Sequence, residues 1–451
     1  MAAQHESYKP TVTITKRVPV YPKTLHPPKI LNLSNLDRQC PMLMYLVFFY
    51  KPSHAYNNLS LNSVFSSLKS GLEVTLSIWY PAAGRLNLNP NDGKLNLWCN
   101  NQGALLIEAL TQVKISDLGD LSQYNDFLEN LVFKPVFDGN FSDMPLVVAQ
   151  VTKFKCGGYS VGIGTSHSLF DGPATFDFLC AWASNSAIMK EKARHYQLQK
   201  PVHDRGPLLQ VGNYHAPKPN RIMRAAAIDH LYQLIQQAVA DHPQINSPNP
   251  NYVLKTFHLT AAMIENLKRK LLGSFSCSSF EAVTAHLWKA RTKALGVRKE
   301  KMVCLQFAVD TRNKVVPSLP KGFSGNAYVL ASIALRAGEL EEGSHEMIIG
   351  KIKEAKMSVN AEYVIAYMEA LEGPQGNLPP LKELTMVSDW TRMPFHKVDF
   401  LNGDASYASP LVSPIPQVAY FMQNPIDMRG IDVRIGLPPQ ALDAFTHYFL
   451  S

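Results

Sequence analysis

Several signatures of a specialised chain are missing here, and each absence narrows the field. Six cysteines in 451 residues (Cys40, Cys99, Cys156, Cys180, Cys277 and Cys304) contain no C-x-x-C pair. A disulfide framework and a zinc knuckle are thereby excluded as organising principles, and reduced thiols are expected. Long apolar runs are missing too: the longest, Cys40 to Tyr50, is about half of the roughly 20 residues of a membrane helix and carries Pro41 near its start. The stretch Met1 to Val18 has no apolar h-region, so no secretory signal is visible. The expectation is a cytoplasmic protein with no membrane span.

Runs of one charge are equally scarce. The 44 basic and 36 acidic residues leave a net charge of +8 spread along the chain. The densest cluster, Lys268-Arg269-Lys270, reads as the wet face of a helix. With no basic stripe and no recognisable module, nucleic acid is excluded as a partner. The mild surplus favours a polyanionic small ligand. Gly162-x-Gly164 is too short for a dinucleotide fingerprint, and no P-loop is present. His203-Asp204 and His286 lack partners at ligand spacing and H-E-x-x-H is absent, so neither a metal nor a bound cofactor is expected.

What remains is an ordinary globular composition. Hydrophobic residues make up 46% and aromatic residues 10%, which excludes disorder as the main state. At roughly 150 residues per domain, two or three domains are expected. Strands are predicted at Leu43–Phe49, Ile107–Val113, Leu146–Phe154, Tyr159–Thr165, Tyr252–His258 and Met302–Val309. Cys156-Gly157-Gly158 supplies the tight turn between the third and fourth of these. Helical spacing marks Ser60–Leu72 and Gly172–Ala187. Thr260 fits an N-cap, and Ser278 with Glu281 forms a capping box for a helix that Gly296 stops. Between 197 and 223 the period is lost among prolines and glycines. The order is mixed α/β, read as an N-terminal domain at 1–196, a crossover linker at 197–223 and a C-terminal domain at 224–451.

The sharpest chemistry lies at His167-Ser168-Leu169-Phe170-Asp171-Gly172. Period 2 carries His167 to the same face as Tyr159, Val161, Ile163 and Thr165, where the strand becomes a turn. Partial desolvation there keeps the imidazole neutral near pH 7, the form a general base needs. The plainer alternative is a satisfied core histidine with Asp171 as a helix cap. Just upstream, Gly158-Tyr159-Ser160-Val161-Gly162 matches the G-x-S-x-G nucleophile elbow. That motif requires a sharp strand-to-helix turn, and Ser160 lies near the start of a strand, so hydrolase action is disfavoured.

These residues resemble the plant BAHD acyltransferase family. Leu33-Ser34-Asn35-Leu36-Asp37 with Phe48-Phe49-Tyr50 is similar to the family's opening, and Tyr80-Pro81-Ala82-Ala83-Gly84-Arg85 to its Y-P-L-A-G-R segment. His167 to Gly172 is the H-x-x-x-D-G hallmark. Val309-Asp310-Thr311-Arg312, Pro320-Lys321-Gly322-Phe323 and Gly325-Asn326 follow in the family's order. The second hallmark, D-F-G-W-G, departs: it stands as Asp399-Phe400-Leu401-Asn402-Gly403.

The resemblance implies two chloramphenicol-acetyltransferase-like domains around a central solvent channel. It implies transfer of an acyl group from acyl-CoA, as co-substrate, to the hydroxyl or amine of a plant specialised metabolite or hormone by a monomeric enzyme. His167 would be the general base. Asp399 would complete the catalytic site, paired with an arginine for which Arg312 is the candidate. Asp171, Gly172, Arg312, Phe400 and Gly403 would be structural at the active site, Asp171 turned away to hold the His167 loop in a salt bridge. The altered second hallmark keeps open a non-catalytic role assisting very-long-chain fatty-acid elongation.

Overall fold

Apolar runs punctuated by turn residues resolve into two mixed sheets of six strands and one of three. The computed structural model describes residues 11–53, 59–136, 138–186, 198–210, 252–272, 276–371, 383–401, 403–411 and 417–451. The first sheet runs β1 (Val12–Val20), β6 (Ala104–Thr111), β7 (Val147–Phe154), β8 (Tyr159–Ser166), β3 (Leu43–Tyr50) and β13 (Tyr407–Pro410). The second runs β11 (Tyr328–Arg336), β10 (Met302–Asp310), β12 (Leu384–Asp389), β14 (Val418–Gln423), β15 (Ile431–Leu437) and β9 (Val253–Leu259). The small sheet joins β2 (Lys29–Leu31), β5 (Leu95–Cys99) and β4 (Arg85–Leu88). Helices used below are α1 (Asn35–Arg38), α2 (Leu61–Ile78), α3 (Gly172–Asn185), α4 (Gly206–Gln210), α5 (Ala261–Leu272) and α6 (Ser279–Ala294).

Local chemistry accounts for the elements nearest the site. Gly157 has φ +84°, the left-handed conformation that lets β7 turn directly into β8. All eight residues of β8 are buried, so both of its faces are covered. The odd positions Tyr159, Val161 and Ile163 join the core beneath α2 and α3. The even positions are small because another segment lies against them: a Cβ on Gly162 would sit 2.1 Å from the Leu131 carbonyl oxygen. On the other face, Trp182 of α3 donates to the Leu68 carbonyl of α2 at 2.9 Å, locking the two helices together. Ser278 and Glu281 form the predicted capping box of α6, and Gly296, at φ +58°, follows its last turn.

The strand expected at Ile107–Val113 lies at Ala104–Thr111, and larger differences follow. Helix α2 runs to Ile78 rather than Leu72, past Gly71, which fits closely against Ser186. The stretch beginning at 197 is not loose where it is described. Val202 bridges Phe323, and Arg205, 1% exposed, is bolted between Asp37, His203, Ser324 and Leu169. Residues 211–223 of that stretch lie outside the described residues. A division at 224 also fails to separate the sheets: β13 pairs with β3, and Phe395, Val398, Phe400, Leu401 and Ala405 pack into the first core. Polar periodicity marks segments well, but a short strand that crosses to another sheet carries no local signal of its destination.

The crossing is clamped by charge. Ser122 and Gln123, from the first half of the chain, lie along β9, where Gln123 and Thr256 exchange bonds of 2.9 and 3.1 Å. His258 Nδ1 meets Asp432 Oδ1 at 2.8 Å, and its Nε2 lies 3.0 Å from Ser122 Oγ and 3.5 Å from Asp120 Oδ2. Tyr407 of β13 donates to Asp432 Oδ2 at 2.9 Å. The spacing imitates a Ser-His-Asp triad, yet Ser122 is 3% exposed and gives its proton to Asp120 at 2.7 Å. Partial burial opposes the His258 charge, but Asp432 and Asp120 outweigh it and raise its pKa above 6.5. A raised folded pKa stabilises the charged form, so this contribution is complete below the unfolded pKa and fades as pH rises through the folded one. Removing His258 by His258→Gln should therefore cost stability below about pH 6 and progressively less toward pH 8, as read by melting temperature across that range.

Candidate active site

His167 follows the last residue of β8, and its backbone N–H donates to the Met42 carbonyl at 2.7 Å. The ring faces a cavity of about 610 Å³ between the two large sheets, lined from one side by Met44, Leu46 and Thr165 and from the other by Phe307, Tyr328 and Met386. That volume lies within the range of roughly 300–1,000 Å³ usual for small-molecule sites. Burial holds the imidazole pKa below its ordinary 6.5, against the raising pull of its own carbonyl, the Asp171 carboxylate and Asn326. The neutral form is thus the one present near pH 7.

The tautomer follows from Asn326. Its Nδ2 donates to the His167 carbonyl at 2.7 Å and to Asp37 Oδ1 at 3.2 Å, both groups that can only accept. The amide oxygen is therefore the atom 3.1 Å from His167 Nδ1, and an oxygen there requires a proton on Nδ1. Nε2 is left with its lone pair. Asp37, the last acidic residue of α1, is itself fixed by Ser34, by the Asn326 backbone N–H at 2.9 Å and by Arg205 at 3.5 Å.

Asp171 carries both roles the sequence left open. It caps α3, accepting from Ala174 N at 3.1 Å, and it forms a two-pronged pair with Arg312, each contact 2.9 Å. Its Oδ2 also accepts from the Ala327 N–H at 3.0 Å. Burial opposes the Arg312 charge, and Asp171 with Asp310 overcomes it and holds the guanidinium pKa above its usual value. Gly172, first residue of α3, leaves room for the Met393 thioether, which would lie 2.8 Å from an added Cβ.

The second hallmark sits elsewhere. Arg312 spends its charge on Asp171 and Asp310, so the expected Arg312–Asp399 pair is not formed; the cause is simple, since two carboxylates already hold the guanidinium. Asp399 is not among the residues lining the cavity and instead accepts from Gly403 N within its own loop. Phe400 packs edge-on against Phe48 and Trp182. Leu401 is fully buried beside it with a negative φ; Asn402 lies outside the described residues. Ser160, 0% exposed inside β8, has no nucleophile-elbow geometry. No disulfide joins the six cysteines, and no group of three or more potential metal ligands occurs among the described residues. Asp37 and Asn326 were visible in the sequence as segments without a role. Arg205 carried no signal at all.

Removing the Asp171 charge leaves a mostly buried arginine with only the half-exposed Asp310 as counter-charge. Asp171→Asn should cost about 3–5 kcal/mol in urea unfolding, well beyond the ~1 kcal/mol typical of losing a cap alone.

Comparison with known proteins gives the family. The profile of the Transferase family matches residues 10–450. A brassinosteroid-related acyltransferase 1 of Arabidopsis thaliana is 55% identical over 98% of both chains. An omega-hydroxypalmitate O-feruloyl transferase of the same plant is 32% identical over 93% of this chain and 88% of that protein. Among solved structures, vinorine synthase superposes with a TM-score of 0.73 at 20% identity, over 96% of each chain. A match running the full length, to a plant acyltransferase sharing more than half its residues, settles the kinship: this chain belongs to the BAHD acyltransferases, the enzymes of the Transferase family that move acyl groups onto plant metabolites.

Proposed function

We propose that this enzyme transfers an acyl group from coenzyme A to a hydroxyl of a steroid-class plant metabolite, with His167 as general base. The observation that carries the base assignment is the Asn326 amide, whose fixed orientation leaves Nε2 unprotonated on a ring that lines the cavity. The acceptor class rests on the name of the 55%-identical relative and on the apolar side chains, such as Leu46, Phe307 and Met386, around the cavity. Coenzyme A as donor is supported by the like-folded TRI101 of F. sporotrichioides, solved with coenzyme A bound, with a TM-score of 0.67 at 12% identity, over 93% of this chain and 97% of that one.

The step needs no covalent enzyme intermediate. Nε2 takes the acceptor hydroxyl proton as the oxygen attacks the thioester carbonyl carbon. The C–O bond forms and the carbonyl electron pair moves to oxygen. Collapse of that oxyanion breaks the C–S bond, and the departing thiolate receives the proton from the imidazolium. Asp171 and Arg312 hold the loop that presents the ring, and Asp399 with Gly403 shapes the loop behind Phe400. The same reading places the enzyme in the cytosol as a monomer; among the described residues no helix is long and apolar enough to cross a membrane.

His167→Ala should lower turnover by about 10²–10⁴-fold with folding nearly intact. The base must be neutral, so kcat/KM should fall on the acid side with an inflection below 6.5, the ordinary histidine value, and be flat above it. Thiol release from acyl-CoA with a hydroxylated steroid as acceptor measures both. An accessory role in lipid elongation predicts no thiol release and no effect of His167→Ala.

A further inference from the structure

Building on that reaction, His167 supplies a base but leaves the negative charge of the tetrahedral intermediate unmatched. Acyl transfer in a water-poor cavity requires a donor aimed at that oxygen. Most polar groups around the cavity are already committed. Arg312 is paired with Asp171, Lys356 bonds Glu281 at 2.7 Å, Trp390 Nε1 donates to Ser388 at 3.0 Å, and Thr391 donates to Asp389 at 2.7 Å.

Tyr328 differs from all of these. Its side chain lines the cavity with its ring centroid 5.7 Å from that of His167, tilted by 55°. Among the described residues no hydrogen bond engages its phenol oxygen. The backbone beneath it is rigid: Tyr328 opens β11 opposite Asp310, directly after Ala327, which binds Asp171, and two residues after Asn326, which binds His167. We propose that the Tyr328 hydroxyl is the donor that meets the thioester oxyanion, making this tyrosine a second catalytic residue beside His167. It donates a hydrogen bond as the carbonyl π pair moves to oxygen and keeps its own proton; the bond made is C–O to the acceptor and the bond broken is C–S. Burial raises the phenol pKa well above 10, so the proton is present throughout the working range.

Tyr328→Phe removes one oxygen and keeps the ring. In the full-length enzyme kcat should drop about 10²–10³-fold, while KM for acyl-CoA and the melting temperature stay close to native. The slow hydrolysis of acyl-CoA by water passes through the same oxyanion and should fall by the same factor. A 3,5-difluorotyrosine at position 328, close in shape and a stronger donor, should keep the native rate or exceed it, which separates donation from folding. Native kcat in Tyr328→Phe overturns the proposal, as does a loss confined to transfer with hydrolysis untouched, or a loss that follows Thr165→Val instead. His167→Ala run in parallel separates the two levels: an inactive His167→Ala beside a fully active Tyr328→Phe removes only the tyrosine, whereas an active His167→Ala removes the mechanism beneath it.

Discussion

The Asp171 carboxylate is the point at which the two halves of the chain are held to one geometry. It belongs to the first half, at the head of α3, yet three of its four bonds reach Arg312 and Ala327 of the second. Burying both charges costs several kcal/mol of desolvation, which the two-pronged geometry and the extra backbone donor offset only while all of them are present. That arrangement makes the site all-or-none. The turn from β8 into α3, which carries His167, cannot be displaced without taking from Arg312 its buried carboxylate and leaving it only the half-exposed Asp310.

Asn326 depends on that arrangement and passes it to the reacting atom. Ala327 N–H binds Asp171, so the residue before it is carried to His167 with its amide already oriented by Asp37. Arg205 closes the chain of contacts from below, reaching Asp37 at 3.5 Å and the Leu169 carbonyl at 3.2 Å. Proton position on the imidazole is thereby a property of the interface between the two sheets and not of the H-x-x-x-D turn alone. The β13 strand and the clamp at Asp432 secure the same interface from another direction, so the cavity walls and the base are positioned by one set of crossings.

Legibility in the sequence followed the range of the interactions. Strands β3, β7, β8, β9 and β10 and the caps at Thr260 and Ser278 were readable because alternation and capping are local, within a few residues. The site's centre was readable from the ordered motifs, including Asp171 as partner of an arginine. Its second tier was not, because the Asp37–Asn326 bond spans 289 residues and Arg205 lies in a stretch whose prolines and glycines look like linker. The pairing of Arg312 with Asp399 failed for the same reason: two opposite charges in one sequence name no geometry, and Asp310, two residues from Arg312, was the nearer carboxylate.

The altered second hallmark then has a physical reading. A leucine in place of glycine at 401 is costly where the backbone needs a positive φ, and here it has a negative one. Its side chain, 0% exposed, joins Phe400 in the first core, so the substitution adds buried apolar surface at roughly 25 cal/mol per Å² instead of straining the loop. Asp399 keeps its carboxylate on the Gly403 N–H, holding the loop closed behind that packing. The leucine therefore falls on the side of the segment that faces the core. It leaves unaltered the residues that hold His167, which come from β8, α3 and the start of β11.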